Sequence, residues 1–247
     1  MSTNRNVAIV RAFSGLALSA ALFSAIFSGL ACADEASIQK ALQARLPNMK
    51  VESVTKIPFG GLYEVILDGE LVYTDEKAEY FFGGNIYDIR TLPPRNVTLA
   101  RTNQVVAAAF SKARDLAIKR VRGNGERTIY TFEDPNCSFC KALQKELAQI
   151  DNITIYTFPT PLLSDDSVEK SLAAWCSKDR ASAWETMMST GAKPEGSMSC
   201  PHPLDGIAVL TQRYQIQSTP AIFLGDGTRI GGMRTAADIE KALAAVR

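Results

Sequence analysis

Two cysteines separated by two residues, Cys137-Ser138-Phe139-Cys140, stand where an apolar run, Thr128-Ile129-Tyr130-Thr131-Phe132, gives way to a run of helical character ending at Leu147. A strand that turns into a helix at the first cysteine puts that sulfur at a helix N-terminus. Unpaired backbone N–H groups and the helix dipole stabilise a thiolate there. The second thiol follows one turn later, close enough to displace a partner and close an intramolecular disulfide. This is the arrangement of a dithiol redox site, with Cys137 as the attacking thiol and Cys140 as the resolving one. Glu133 and Asp134, just upstream, oppose thiolate formation while the helix terminus favours it.

The 247 residues leave room for one large or two modest domains, and 46% hydrophobic with 21% charged content suits a globular core. A formal net charge of +1 gives no reason to expect a nucleic-acid partner. The start of the chain is different in kind. Arg5 and Arg11 precede an uncharged run from Ala12 to Ala33 that ends Ala31-Cys32-Ala33 before Asp34-Glu35. That pattern predicts a signal peptide over 1–33, cleaved after Ala33, and hence export. A retained anchor and a lipidated Cys32 are the alternatives. Cleavage reduces five cysteines to four: Cys137, Cys140, Cys176 and Cys200. In a disulfide-permissive compartment Cys176 and Cys200 suit a structural bridge, against which stands a pair of buried free thiols.

From 34 to 98 the sequence reads as a small α+β domain. Ser37 is placed to cap a helix carrying Ile38, Leu42 and Leu46, and Pro47 stops it. Strand-like runs follow at Leu62 to Leu67, Leu71 to Thr74, Glu79 to Phe82 and Asn85 to Arg90. Asp68-Gly69 between the first two is a strong hairpin signal. So short a domain gains from the extra burial of dimerisation, and Tyr80, Phe81 and Phe82 are expected to fill its core. A linker helix is expected over 99–124. Val106, Phe110, Ala113 and Ala117 form its stripe, Lys112, Arg114, Lys119 and Arg120 lie on a solvated face, and Gly123-Asn124-Gly125 ends it. Residues 125–247 then read as strand, Cys-x-x-Cys helix, strand, helices, two strands and a last helix opened by Thr235 with Asp238. Trp175 and Trp184 belong to the core of the helical stretch, and His202 to an exposed, proline-bounded loop.

The Cys137/Cys140 pair together with Thr219-Pro220 opening a late strand resembles a thioredoxin-fold oxidoreductase. In that fold the proline is cis and faces the dithiol across the substrate groove, which implies substrate-binding roles for Thr219 and Pro220. The whole of 34–247 is similar to the bacterial periplasmic disulfide isomerases of the DsbC and DsbG type, including the Gly83-Gly84-Asn85-Ile86-Tyr87-Asp88-Ile89 run and Asn96-Val97-Thr98. The resemblance implies an α+β chain: a thioredoxin-like catalytic domain with a helical insertion, preceded by a small dimerisation domain and a linker helix. It also implies a structural disulfide between Cys176 and Cys200, which favours the DsbC branch. Homodimerisation through the N-terminal domain, misoxidised exported proteins as substrates, and a membrane thiol reductase of the DsbD type as electron donor follow in the same way. One departure stands out: Ser138-Phe139 occupies the place of the Gly-Tyr of the best-known DsbC-type site, and this dipeptide bears on reduction potential.

The expected function is therefore periplasmic disulfide reshuffling, with no cofactor and no metal. Three other readings stay open. One is a dedicated oxidase or reductase serving a secretion or conjugation apparatus. Another is a mainly chaperone-like binding protein. The third is a structural zinc site using the cysteines with or without His202.

Overall fold

A computed structural model describes residues 34–246. The expected signal peptide and its cleavage site lie outside the described residues. None of the described helices is long and apolar enough to cross a membrane.

The small N-terminal layer begins with α1, Glu35–Arg45, whose N-cap is Asp34 rather than Ser37: the Asp34 carboxylate accepts from the Ser37 backbone N–H. Four antiparallel strands follow in the order β1-β2-β3-β4: β1 Val51–Lys56, β2 Tyr63–Leu67, β3 Glu70–Thr74 and β4 Phe81–Phe82. Asp68 and Gly69 both take positive φ, which a tight two-residue hairpin needs, and Leu67 pairs with Glu70 around them. Ile38 and Leu42 of α1 pack on Val54, Tyr63 and Val65. The sequence pattern misses β1. A bulge between Val51 and Ser53 breaks the two-residue alternation that would reveal it. Tyr80, Phe81 and Phe82 do not fill this core as expected. They are exposed, on and beside the edge strand β4.

A two-stranded ladder, β5 Tyr87–Asp88 with β6 Arg95–Asn96, leads into α2, Val97–Lys112, capped by the Asn96 side chain. The helix expected over 99–124 is thus shorter at its C-terminal end. A single 3-10 turn, Arg114–Leu116, follows it, and Ile118–Arg122 is a strand, β7. The reason lies in Arg120. Along β7 the inward positions are Ile118 and Arg120, while Lys119 and Val121 face solvent. A buried arginine beside an exposed valine inverts the usual alternation, so hydrophobic periodicity reads the segment as more helix. Arg120 therefore leaves the solvated face assigned to it and enters the interior.

α2 fastens the two parts of the chain together. Near its N-terminus Thr98 Oγ1 accepts from Ile86 N and pairs with Tyr73 OH at 2.7 Å, and Arg101 reaches Glu64 at 2.7 Å. Near its C-terminus Phe110 is fully buried against Tyr130, Phe132, Phe158, Tyr214 and Phe223, with ring centroids 5.0–6.0 Å away. Gly227 permits the close approach: a Cβ there would stand 1.9 Å from the Asn103 carbonyl oxygen.

The larger sheet has the order β11-β10-β8-β9-β7, with β8 Arg127–Glu133, β9 Ile153–Pro159, β10 Ala221–Leu224 and β11 Arg229–Gly231. β8 and β9 are parallel and the other pairs antiparallel. On one face α3, Ser138–Leu147, and α7, Ala236–Ala245, cover Ile129, Ile155 and Ile222. On the other, α2 and α6, Leu204–Arg213, cover Tyr130, Phe132 and Phe158. Apolar side chains on both faces of β8 are what a central strand requires. The helical insertion is α4, Asp165–Cys176, and α5, Arg180–Thr190, with Trp175 and Trp184 in its core. The chain is α+β.

Candidate active site

The dithiol lies where β8 runs into α3. Cys137 is the N-cap residue of α3 and makes no side-chain capping bond, so the amides of the first turn stay open towards its sulfur. The Cys137 Sγ lies 3.4 Å from the Thr219 carbonyl oxygen, to which it donates. Thr219–Pro220 is a cis peptide leading into β10, the neighbour of β8, so Thr219, Pro220 and the two cysteines converge at one end of the sheet. Cys140 is fully buried one turn into the helix. Burial, and after it the Glu133 carboxylate, push its thiol well above the ordinary thiol range. Phe139, between the cysteines, is 64% exposed.

Beneath the helix lies a polar cluster that sequence reasoning did not assemble. Glu133, the last residue of β8, is fully buried. Its carboxylate accepts from the Gln144 side-chain amide and from Thr157 Oγ1, and lies 3.9 Å from Arg120. Burial raises the Glu133 pKa and the Arg120 charge opposes that shift. Arg120 donates to the Gln144 side-chain carbonyl and, at 2.8 Å, to Thr157 Oγ1. Gln144 thus bridges the ion pair from α3, four residues after Cys140. That spacing on one helix face was available in the sequence. Nothing there showed that Arg120 would face it.

Asp134 is also buried, but differently. Its carboxylate accepts from Asn136 N at 2.7 Å, Leu162 N at 2.7 Å, Leu163 N at 3.0 Å and Ser167 Oγ at 2.8 Å. Four donors surround its carboxylate, and its backbone carbonyl accepts from Cys137 N at 3.1 Å. The residue anchors the active-site turn.

Cys176 and Cys200 are joined by a disulfide with S–S 2.03 Å, which ties the end of α4 to the segment before α6. Cys137 and Cys140 are the free cysteines among the described residues. With two of its four cysteines bonded to each other, the zinc ligand set weighed above is not assembled. His202 is exposed in its loop.

The chain as a whole is similar to known proteins. A family described as thioredoxin-like domain matches residues 114–247, and one described as disulfide bond isomerase protein N-terminal domain matches residues 29–99. The probable thiol:disulfide interchange protein DsbC of Bordetella pertussis is 36% identical over 208 residues, covering 84% of this chain and 73% of that protein. The chain belongs to the DsbC family. The Escherichia coli (strain K12) thiol:disulfide interchange protein DsbC is 26% identical over 223 residues, spanning 89% of this chain and 91% of its own length. Among solved structures, a disulfide interchange protein from Neisseria gonorrhoeae superposes with a TM-score of 0.51 at 33% identity, covering 53% of this chain and 95% of that one. As a DsbC-family member the protein is a thiol-disulfide oxidoreductase with disulfide isomerase function. A dedicated oxidase or reductase, or a purely chaperone-like role, is not favoured.

Proposed function

We propose that the protein reshuffles wrong disulfides in exported client proteins, with Cys137 as nucleophile and Cys140 as resolving thiol. The asymmetry of the two thiols carries this reading. Cys137 caps a helix beside Thr219 and keeps 8% exposure, while Cys140 is fully buried one turn on, with its thiol pushed up by that burial. The Cys137 thiolate attacks a client disulfide, whose S–S bond breaks as the Cys137–client bond forms and the other client sulfur leaves as thiolate. That thiolate attacks elsewhere in the client or returns to displace Cys137, and no net electrons are exchanged. When the client stalls, Cys140 loses its proton and displaces the client thiol. The enzyme is then left with a Cys137–Cys140 disulfide and the client two electrons more reduced. A thiol reductant, in our reading a membrane reductase of the DsbD type, returns the enzyme to the dithiol.

Thr219 and Pro220 present backbone to the client beside Cys137, and the Cys176–Cys200 disulfide is structural. We assign 34–98 to dimerisation, the segment after it to a linker, and the remainder to catalysis. Tyr80, Phe81, Phe82 and Tyr87, exposed on the small domain, support a surface there that a second copy or a client covers. Residues 1–33 act as a signal peptide, and the mature chain works in the periplasm.

The deciding experiment is refolding of scrambled ribonuclease by the mature protein, with Cys137→Ala beside it. Activity should return with the wild type and not with the variant. A fully active Cys137→Ala protein would overturn the assignment. Light scattering should find a dimer at micromolar concentration.

A further inference from the structure

Next to the dithiol turn lies a cavity of about 330 Å³ that the exchange chemistry does not use. Pro161, Leu162, Val168, Leu172, Leu204 and Ala208 are among its apolar wall residues, and its ionisable groups are His202 and Asp205, both exposed. Its volume is at the lower end of the roughly 300–1,000 Å³ that ligand pockets span, enough for one or two side chains.

The two residues that shape the approach to Cys137 also hold this cavity. The Glu133 carbonyl accepts from Thr160 N at 2.8 Å, and the Asp134 carboxylate accepts from Leu162 N and Leu163 N. With prolines at 159 and 161, every backbone N–H from 159 to 163 is either absent or already bonded. The segment has no backbone donor left for a client and offers apolar contact instead. Leu162 and Leu163 are 49% and 60% exposed although their backbone is tied to a buried carboxylate. The result is a fixed apolar rim, between β9 and α4, that is bonded to the turn carrying Cys137.

We propose that this cavity is a subsite for a large apolar side chain close in sequence to the client cysteine that Cys137 attacks. The occupant is an extended client segment, because the wall residue Leu162 is bonded to Asp134, three residues before Cys137, and the lining residues from Pro161 to Leu172 are uncharged. The proposal rests on Cys137 being the attacking thiol. It gives the enzyme a preference among cysteines: those flanked by Leu, Phe or Trp, which a folded client buries and a misoxidised one exposes.

The test uses the full mature chain with Cys140→Ala, so that the Cys137 mixed disulfide accumulates. Probes are serine-rich peptides, each with one cysteine as its glutathione mixed disulfide and one tryptophan moved a position at a time to either side. Attack by Cys137 on the peptide sulfur forms the Cys137–peptide disulfide and releases glutathione thiolate, which mass spectrometry and thiol release both follow. Rates are divided by the rate with glutathione disulfide. One register should react about 10-fold faster than the all-serine peptide, in line with burial of most of a large apolar side chain. Ala208→Trp, which fills the cavity, and Leu162→Ser, which removes a wall, should each reduce that advantage to about 2-fold or less. No register advantage in the parent protein, or an advantage that survives both variants, would overturn the subsite. A protein whose Cys137 does not react with glutathione disulfide at all would overturn the assigned function instead.

Discussion

Arg120 and Glu133 face each other in the interior, Nη2 to Oε1 3.9 Å, with Gln144 of the redox helix bonded to both. A buried carboxylate beneath a dithiol is costly unless paired, and this pairing fixes the underside of α3 to the two strands that carry it. Glu185 of the insertion lies 3.6 Å from the same guanidinium and joins it to the surface.

Arg120→Met leaves Glu133 buried without its cation and should cost about 3–5 kcal/mol. The deficit should depend on pH. Burial already raises the folded pKa of Glu133 above its unfolded value of 4.5, and the variant removes the charge that opposes the shift. An acid with a raised folded pKa loses its contribution to stability as pH rises through that value. Urea unfolding should therefore show a larger deficit at pH 8 than at pH 5, and Arg120→Met with Glu133→Gln should recover part of it. An equal deficit at both pH values would mean that Glu133 stays unaffected by its partner.

Glu133→Gln should lower the Cys140 pKa, since the carboxylate is one of the causes that raise it. Because burial is the larger cause, the thiol should still titrate above the ordinary range. Thiolate absorbance against pH in a Cys137→Ala background reads Cys140 alone among the described cysteines. An unchanged titration would place Glu133 outside its electrostatic reach.

Cys176→Ala with Cys200→Ala opens a loop of sequence separation 24. On the chain-entropy account this should cost about 3 kcal/mol. Denaturant midpoints check the loss.

Phe110→Ala removes a fully buried ring that meets five other aromatic rings. A loss of about 3–5 kcal/mol is expected, read as a lower denaturant midpoint. Protection of the α2 amides in hydrogen exchange should fall with it, since this contact docks α2 on the larger sheet.

Local chemistry explains what was legible beforehand. Asp68-Gly69 specifies a tight hairpin because few residues accept positive φ, and Thr235 with Asp238 caps α7 by a bond within four residues. The redox helix was visible for the same reason, since Cys-x-x-Cys carries its geometry in its spacing. β1 was not, because a bulge interrupts its period. β7 was not, because its inward residue is an arginine.

By itself the sequence determined the dithiol and its helix, the helical stretch that follows β9 and the hairpin of the small domain. Each rests on contacts between near neighbours or on periodicity that the backbone imposes. The tertiary structure alone decided that Arg120 and Gln144 clasp Glu133, that Asp134 fastens Leu162 and Leu163 beside Cys137, and that Tyr80, Phe81 and Phe82 stay outside. Those are questions of which buried group finds which partner across the fold. A carboxylate entering the interior must take its donors from whatever strand and helix the packing brings beside it.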